Sequence, residues 1–94
     1  MEKAFTVTPT IEQSQPHGCT LVLQAGDVIW WKWYENEPVA CREAERLDLA
    51  VREYLPQGKT ATVRCSLKAS GLVNEDDLIG FNFRTGDRPP RRDV

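Results

Sequence analysis

Two runs, GCTLVL (residues 18–23) and DVIWWKWY (residues 27–34), are separated by three residues, and they restrict the fold more than any other part of the chain. The first carries aliphatic and β-branched types and the second aromatic ones, and both read as strands. So short a connection joins only antiparallel neighbours, because a parallel crossover needs a dozen residues or more. With Gln24, Ala25 and Gly26 as a three-residue loop, Gly26 takes the left-handed position that glycine reaches without steric cost. In that register Leu21 and Leu23 share a face with Ile29, Trp31 and Trp33, which makes a core set. Thr20, Val22 and Gln24 then share the other face with Val28, Trp30, Lys32 and Tyr34. A two-residue loop slips the pairing by one and exchanges the partner of every side chain.

The remaining elements follow from local patterns. Residues 3–8 alternate with Phe5 and Val7 inward, until Pro9 interrupts the strand. Asn36 caps a helix that opens on Glu37 and Pro38 and is expected to run to about residue 55. Ala40, Ala44, Leu47, Val51, Tyr54 and Leu55 form its apolar stripe, opposite Arg42, Glu43, Glu45, Arg46, Asp48, Arg52 and Glu53. Pro56 and Gly58 stop it. Residues 59–67 alternate with Ala61, Val63, Cys65 and Leu67 inward. After the Ser70-Gly71 break and an acidic run, residues 78–84 form a last strand with Ile79, Phe81 and Phe83 on one side. The order β-β-β-α-β-β predicts an α+β fold, an antiparallel sheet of about 4–5 strands with one main helix packed on one face. Residues 1–86 make a single domain, and residues 87–94 a flexible Pro/Arg-rich tail.

Composition narrows the class. A chain of 94 residues has room for one core, burying roughly 60–65 % of its unfolded surface. No apolar run is long enough for a membrane span, and no apolar segment of the secretory kind follows the start, so the expected location is the cytoplasm. Three cysteines, Cys19, Cys41 and Cys65, lie 22 and 24 residues apart. An odd number without a C-x-x-C pair argues against a disulfide framework and against a zinc knuckle. The net charge of −2 offers no basic face for nucleic-acid phosphates. Neither a cofactor nor a metal is expected, and with one histidine and no catalytic motif the chain reads as a non-enzyme.

Candidate binding residues fall into groups. One helix covers one face of a sheet, so Trp30, Lys32 and Tyr34 on the other face either pack under the 11–18 loop or form an exposed patch of hot-spot composition for a partner or a second copy. Stacking of single-stranded bases on the same rings is a further option. Glu35 and Glu37, with Glu75, Asp76 and Asp77, are solvated loop charges or a docking surface for a basic partner. Arg88, Arg91 and Arg92 in the tail offer contacts to phosphate or an acidic partner, as does Arg84 before it. His17 and Cys19 sit two apart and would face the same way on a strand, but no further ligand or carboxylate is placed beside them.

The GCTLVLQAGDVIWWKWYENEP hairpin running into VACREAERLDLAVREYL and then TATVRCSL resembles the layout of small phage and mobile-element inhibitors of bacterial defence, anti-CRISPR proteins among them. The resemblance covers residues 18–67 and rests on architecture and mild acidity. It implies a small cytoplasmic binding protein that occludes a surface of a larger protein or nucleoprotein complex, its acidic side chains standing in for phosphates. Antitoxins and small RNA-binding-like domains share the layout. The alternative is therefore a single-stranded nucleic-acid-binding or antitoxin-like module that uses the aromatic strand, and a homodimer through the outer sheet face would also cover those rings.

Overall fold

In the computed structural model, which describes residues 4–85, the connection between these two strands is a two-residue turn. The elements in chain order are β1 (Ala4–Gln13), β2 (Cys19–Ala25), β3 (Val28–Tyr34), α1 (Glu37–Arg46), β4 (Ala50–Gln57), β5 (Thr60–Leu67), β6 (Gly71–Asn74), a 3-10 turn (Glu75–Leu78) and β7 (Asn82–Thr85). Ala25 extends β2 and pairs with Val28. Gly26, at φ +59°, takes the first central position of the turn, where type II′ geometry places glycine and matches the twist of the strands.

That one residue of slip corrects the expected register. Cys19, Leu21 and Leu23 face Tyr34, Lys32 and Trp30, while Thr20, Val22 and Gln24 face Trp33, Trp31 and Ile29. The two sets of rings trade sides. Trp30 is only 9 % exposed and joins Leu21 and Leu23 in the core, whereas Trp33 is 48 % exposed on the opposite face.

The main sheet is antiparallel throughout, with strand order β6-β1-β2-β3-β7. Pro9 does not end β1. It pairs with Leu23 beyond the last β1–β6 pair, Val7 with Gly71, so its missing N–H removes no bond from that side of the ladder. Residues 71–74, which follow the expected Ser70-Gly71 break and were assigned to no strand, form β6, whose Val73 is buried against β1.

The Asn36 side chain accepts a hydrogen bond from the Val39 N–H at 3.0 Å, as the sequence led us to expect. Ala40 and Ala44 are fully buried, and their small side chains let the helix lie close over the sheet. The helix nevertheless stops at Arg46, not residue 55. Asp48 adopts φ +60°, Asp48 N–H donates to the Glu45 carbonyl and Leu49 N–H to the Ala44 carbonyl, the paired bonds of a Schellman stop. Aspartate tolerates the left-handed region better than most residues, so no glycine is needed.

The chain from Ala50 is therefore a strand. β4 and β5 form a separate two-stranded sheet joined at Gly58 and Lys59. Its base packs in the core through Ala50 and Leu67, but farther out Val51, Tyr54 and Val63 are exposed, which corrects the inward assignment of Val63. A disulfide joins Cys41 of α1 to Cys65 of β5, with Cα atoms 6.2 Å apart, and Cys19 is the free thiol. The odd cysteine count thus hides a pair and a buried single. The architecture is α+β, an antiparallel sheet with one helix on one face, and the molecule is 20 Å across its thinnest dimension, the depth of two layers. No helix among the described residues is long and apolar enough to cross a membrane.

Candidate partner-binding groove

The helix covers only part of the inner sheet face. Beyond it, between the 3-10 turn and the β3–β7 edge, lies a groove of 390 Å3. Phe5, Val28 and Trp30 from the sheet and Leu78, Phe81 and Phe83 from the last segment line it. Trp30 and Phe5 meet with ring centroids 5.3 Å apart and planes tilted by 44°. Leu78 is buried and pins the turn, which leaves its neighbour Ile79 81 % exposed and Phe83 66 % exposed at the rim. The final segment was expected to point Ile79, Phe81 and Phe83 one way along a strand. The tight turn at residues 75–78 shortens that strand to Asn82–Thr85 and lifts Ile79 out of it.

The acidic run lies on the same turn. Glu75 lines the groove, Asp76 is exposed and Asp77 half-buried. At the other end Lys32 holds its ammonium 5.8 Å from the Phe81 ring centroid and 5.7 Å from that of Tyr34, a cation placed over two aromatic faces. The fold therefore gathers Trp30, Lys32, Glu75, Asp76 and Asp77, though with Trp30 as floor and not as an exposed platform. Ile79 and Phe83 were not singled out as binding residues, because alternation alone placed them with Phe81 on one side of a strand without saying what that side meets.

The other sequence candidates lie elsewhere. Glu35 and Glu37 are exposed at the start of α1, and Glu37 lines a second groove against the β4–β5 hairpin. His17 and Cys19 do not converge. The His17 ring packs edge-on against Trp33 at 5.7 Å and its carbonyl accepts from the Trp33 indole at 3.2 Å, on the outer face, while Cys19 is buried on the inner one. Arg84 is exposed opposite Ile29. Arg88, Arg91 and Arg92 lie outside the described residues. No cluster of three or more His, Cys, Asp or Glu suited to a metal occurs among the described residues.

Tyr34 sits under α1 with its hydroxyl buried and without a hydrogen-bond partner. Burial, reinforced by the Glu43 carboxylate and opposed by the Arg46 guanidinium, pushes its pKa from 10.0 up to about 12. In the unfolded chain the phenol loses its proton near pH 10, whereas the folded protein keeps it until about pH 12, so the native state binds more protons in that window. This contribution to stability is present below pH 10 and is lost as pH rises toward 12. Tyr34→Phe is expected to flatten that part of the stability profile and, by removing an unpartnered buried hydroxyl, to keep neutral-pH stability or raise it by up to about 1 kcal/mol. Urea unfolding from pH 8 to 11.5 checks both points, and an unchanged alkaline slope would show that the hydroxyl is solvated.

Comparison with protein-family models, with curated proteins and with solved structures returns no match.

Proposed function

We propose that the chain is a non-enzymatic binding protein that occludes a surface of a larger protein or nucleoprotein complex, acting in the cytoplasm. The specific form proposed is a phage-type anti-defence protein, an anti-CRISPR inhibitor. One observation carries the binding reading. Ile79 and Phe83 stand exposed over an aromatic-floored groove whose rim holds Glu75 and whose turn holds Asp76 and Asp77. Large apolar side chains in one exposed patch favour a partner, since covering them removes apolar surface from water. The carboxylates speed encounter with a basic surface and disfavour an acidic one. The preferred partner surface is therefore basic with an apolar protrusion, the character of a protein face built to hold nucleic acid.

The experiment expresses the protein in a bacterium whose CRISPR system restricts a phage. Wild type is expected to restore plaque formation, and I79S/F83S and E75K/D76K/D77K each to abolish it with the melting temperature within a few degrees of wild type. Loss of two hot-spot side chains is worth on the order of 30-fold or more in affinity. No protection by wild type across CRISPR subtypes removes the anti-defence form. Capture of a purified target that neither variant weakens removes the groove.

A second reading, single-stranded nucleic-acid binding, draws on the outer face, where half-exposed Trp33 lies with Trp31 and exposed Arg84. It predicts salt-sensitive retention of single-stranded DNA that Trp33→Ala abolishes and I79S/F83S leaves intact.

A further inference from the structure

The second groove, 510 Å3 between α1 and the β4–β5 hairpin, has the Cys41–Cys65 bond in its wall, beside Pro38, Val63, one carboxylate, Glu37, and the three arginines Arg42, Arg52 and Arg64. We propose that this bond is a thiol–disulfide exchange site that takes a dithiol reductant as its co-reactant, and that its reduction unclamps the hairpin from the helix.

Access is the first ground. A disulfide in a packed core is out of reach of a thiolate until the protein opens, but here, although Cys41 is buried, Cys65 is only half-buried and the other residues lining the groove are exposed. Charge is the second. Arg52 is engaged by Glu45 at 2.7 Å, whereas no ion pair among the described residues holds Arg42 or Arg64. Guanidinium groups left unneutralised attract an incoming thiolate and stabilise the thiolate that departs, and a better leaving thiolate exchanges faster.

The third ground is mechanical. Outside its base the hairpin leaves Val51, Tyr54 and Val63 exposed, and the ion pairs around it among the described residues lie at the surface, Arg52 with Glu45 and, at its foot, Asp48 with Lys68 at 2.9 Å. Pairs of that kind are weak and screened by salt. The covalent bond is thus the strong attachment of the outer hairpin. The base, held by Ala50 and Leu67, stays in the core whether or not the bond is present.

The chemistry balances without another reagent. One thiolate of the dithiol attacks Cys65 Sγ, the more accessible sulfur, forming a mixed disulfide and expelling Cys41 as a thiolate. The second thiol of the reductant, losing its proton, attacks its own sulfur in the mixed disulfide and expels Cys65. Two electrons pass from the dithiol to the protein, the reductant leaves as its own disulfide, and the two protons it gave up are taken by the two cysteines.

The test treats native protein with excess dithiothreitol at neutral pH without denaturant, then alkylates with iodoacetamide and locates the label by mass. The expected result is labelling of Cys41 and Cys65 but not of buried Cys19, faster amide exchange over residues 51–66, and unchanged protection in β1, β2 and β3. Three outcomes overturn the proposal: labelling before reductant is added, no labelling until denaturant unfolds the chain, or labelling of Cys19 together with the other two. R42Q/R64Q, at exposed positions, is expected to slow reduction about 3- to 10-fold at low salt, with the difference shrinking in high salt. Equal rates overturn the role given to the arginine-lined groove.

Discussion

Trp30→Ala is expected to cost about 3–5 kcal/mol, the range for removing a large ring from a packed core. Set against the 5–15 kcal/mol typical of a whole domain, such a loss brings a chain of this size to the edge of unfolding. Trp30 faces Leu23 across the β2–β3 ladder, packs on Phe5 and joins Val7, Leu21 and Leu49 in one buried cluster. Trp33→Ala is expected to cost much less, about 1–2 kcal/mol, because half of its ring is already in water and what it loses is one hydrogen bond to His17 and packing over Gly18. Gly18, at φ +91°, lies so close under that ring that a Cβ there would collide with it. Urea midpoints of the two variants, with unchanged m-values, give the comparison directly. The three-residue register demands the opposite order, so a Trp33 variant less stable than the Trp30 variant would reinstate it.

Removing both bridged cysteines, as C41A/C65A, is expected to cost about 3–4 kcal/mol under oxidising conditions. The bond closes a loop over a sequence separation of 24, and freeing it returns that conformational entropy to the unfolded chain. The native sheet should keep its indole fluorescence, because neither sulfur lies between Trp30 and its neighbours in the main cluster. Wild type in excess reductant should match the variant. Equal midpoints for oxidised wild type and C41A/C65A would mean that the bond adds nothing to stability. In a cytoplasm, where dithiols keep most cysteines reduced, the same difference would separate a locked form from a loosened one.

The fold class was legible because it depends on things local to the chain. Alternation over residues 18–34 and a turn glycine between the runs require an antiparallel pair, and Asn36 followed by Glu37 and Pro38 starts a helix whatever surrounds it. Where that helix ends was not legible. Val51, Tyr54 and Leu55 satisfy a helical stripe, yet Val51 and Leu55 also lie on one face of a strand, because a spacing of four positions fits both periods. Asp48 in the left-handed region, with Leu49 bonding back to Ala44, decided it. No glycine or proline advertised that stop. β6, four residues long, is too short to show a period at all.

The candidate site was half legible for the same reason. The acidic turn at Glu75, Asp76 and Asp77 is a property of composition and stays on the surface. Which rings lie beside it depends on one residue of turn length, because side chains alternate and a single step carries every one of them to the opposite face.

By itself the sequence determined that this chain would be a small antiparallel α+β domain with a capped helix, an aromatic central strand and acidic loops, since strand alternation, capping and turn chemistry act within a few residues. Tertiary structure alone decided that Trp30 and not Trp33 is core, that Cys41 and Cys65 find each other across 24 positions, and that Ile79 and Phe83 remain uncovered. Each of those outcomes rests on which surfaces meet in three dimensions, and meeting is fixed by register and layer packing, which no local pattern encodes.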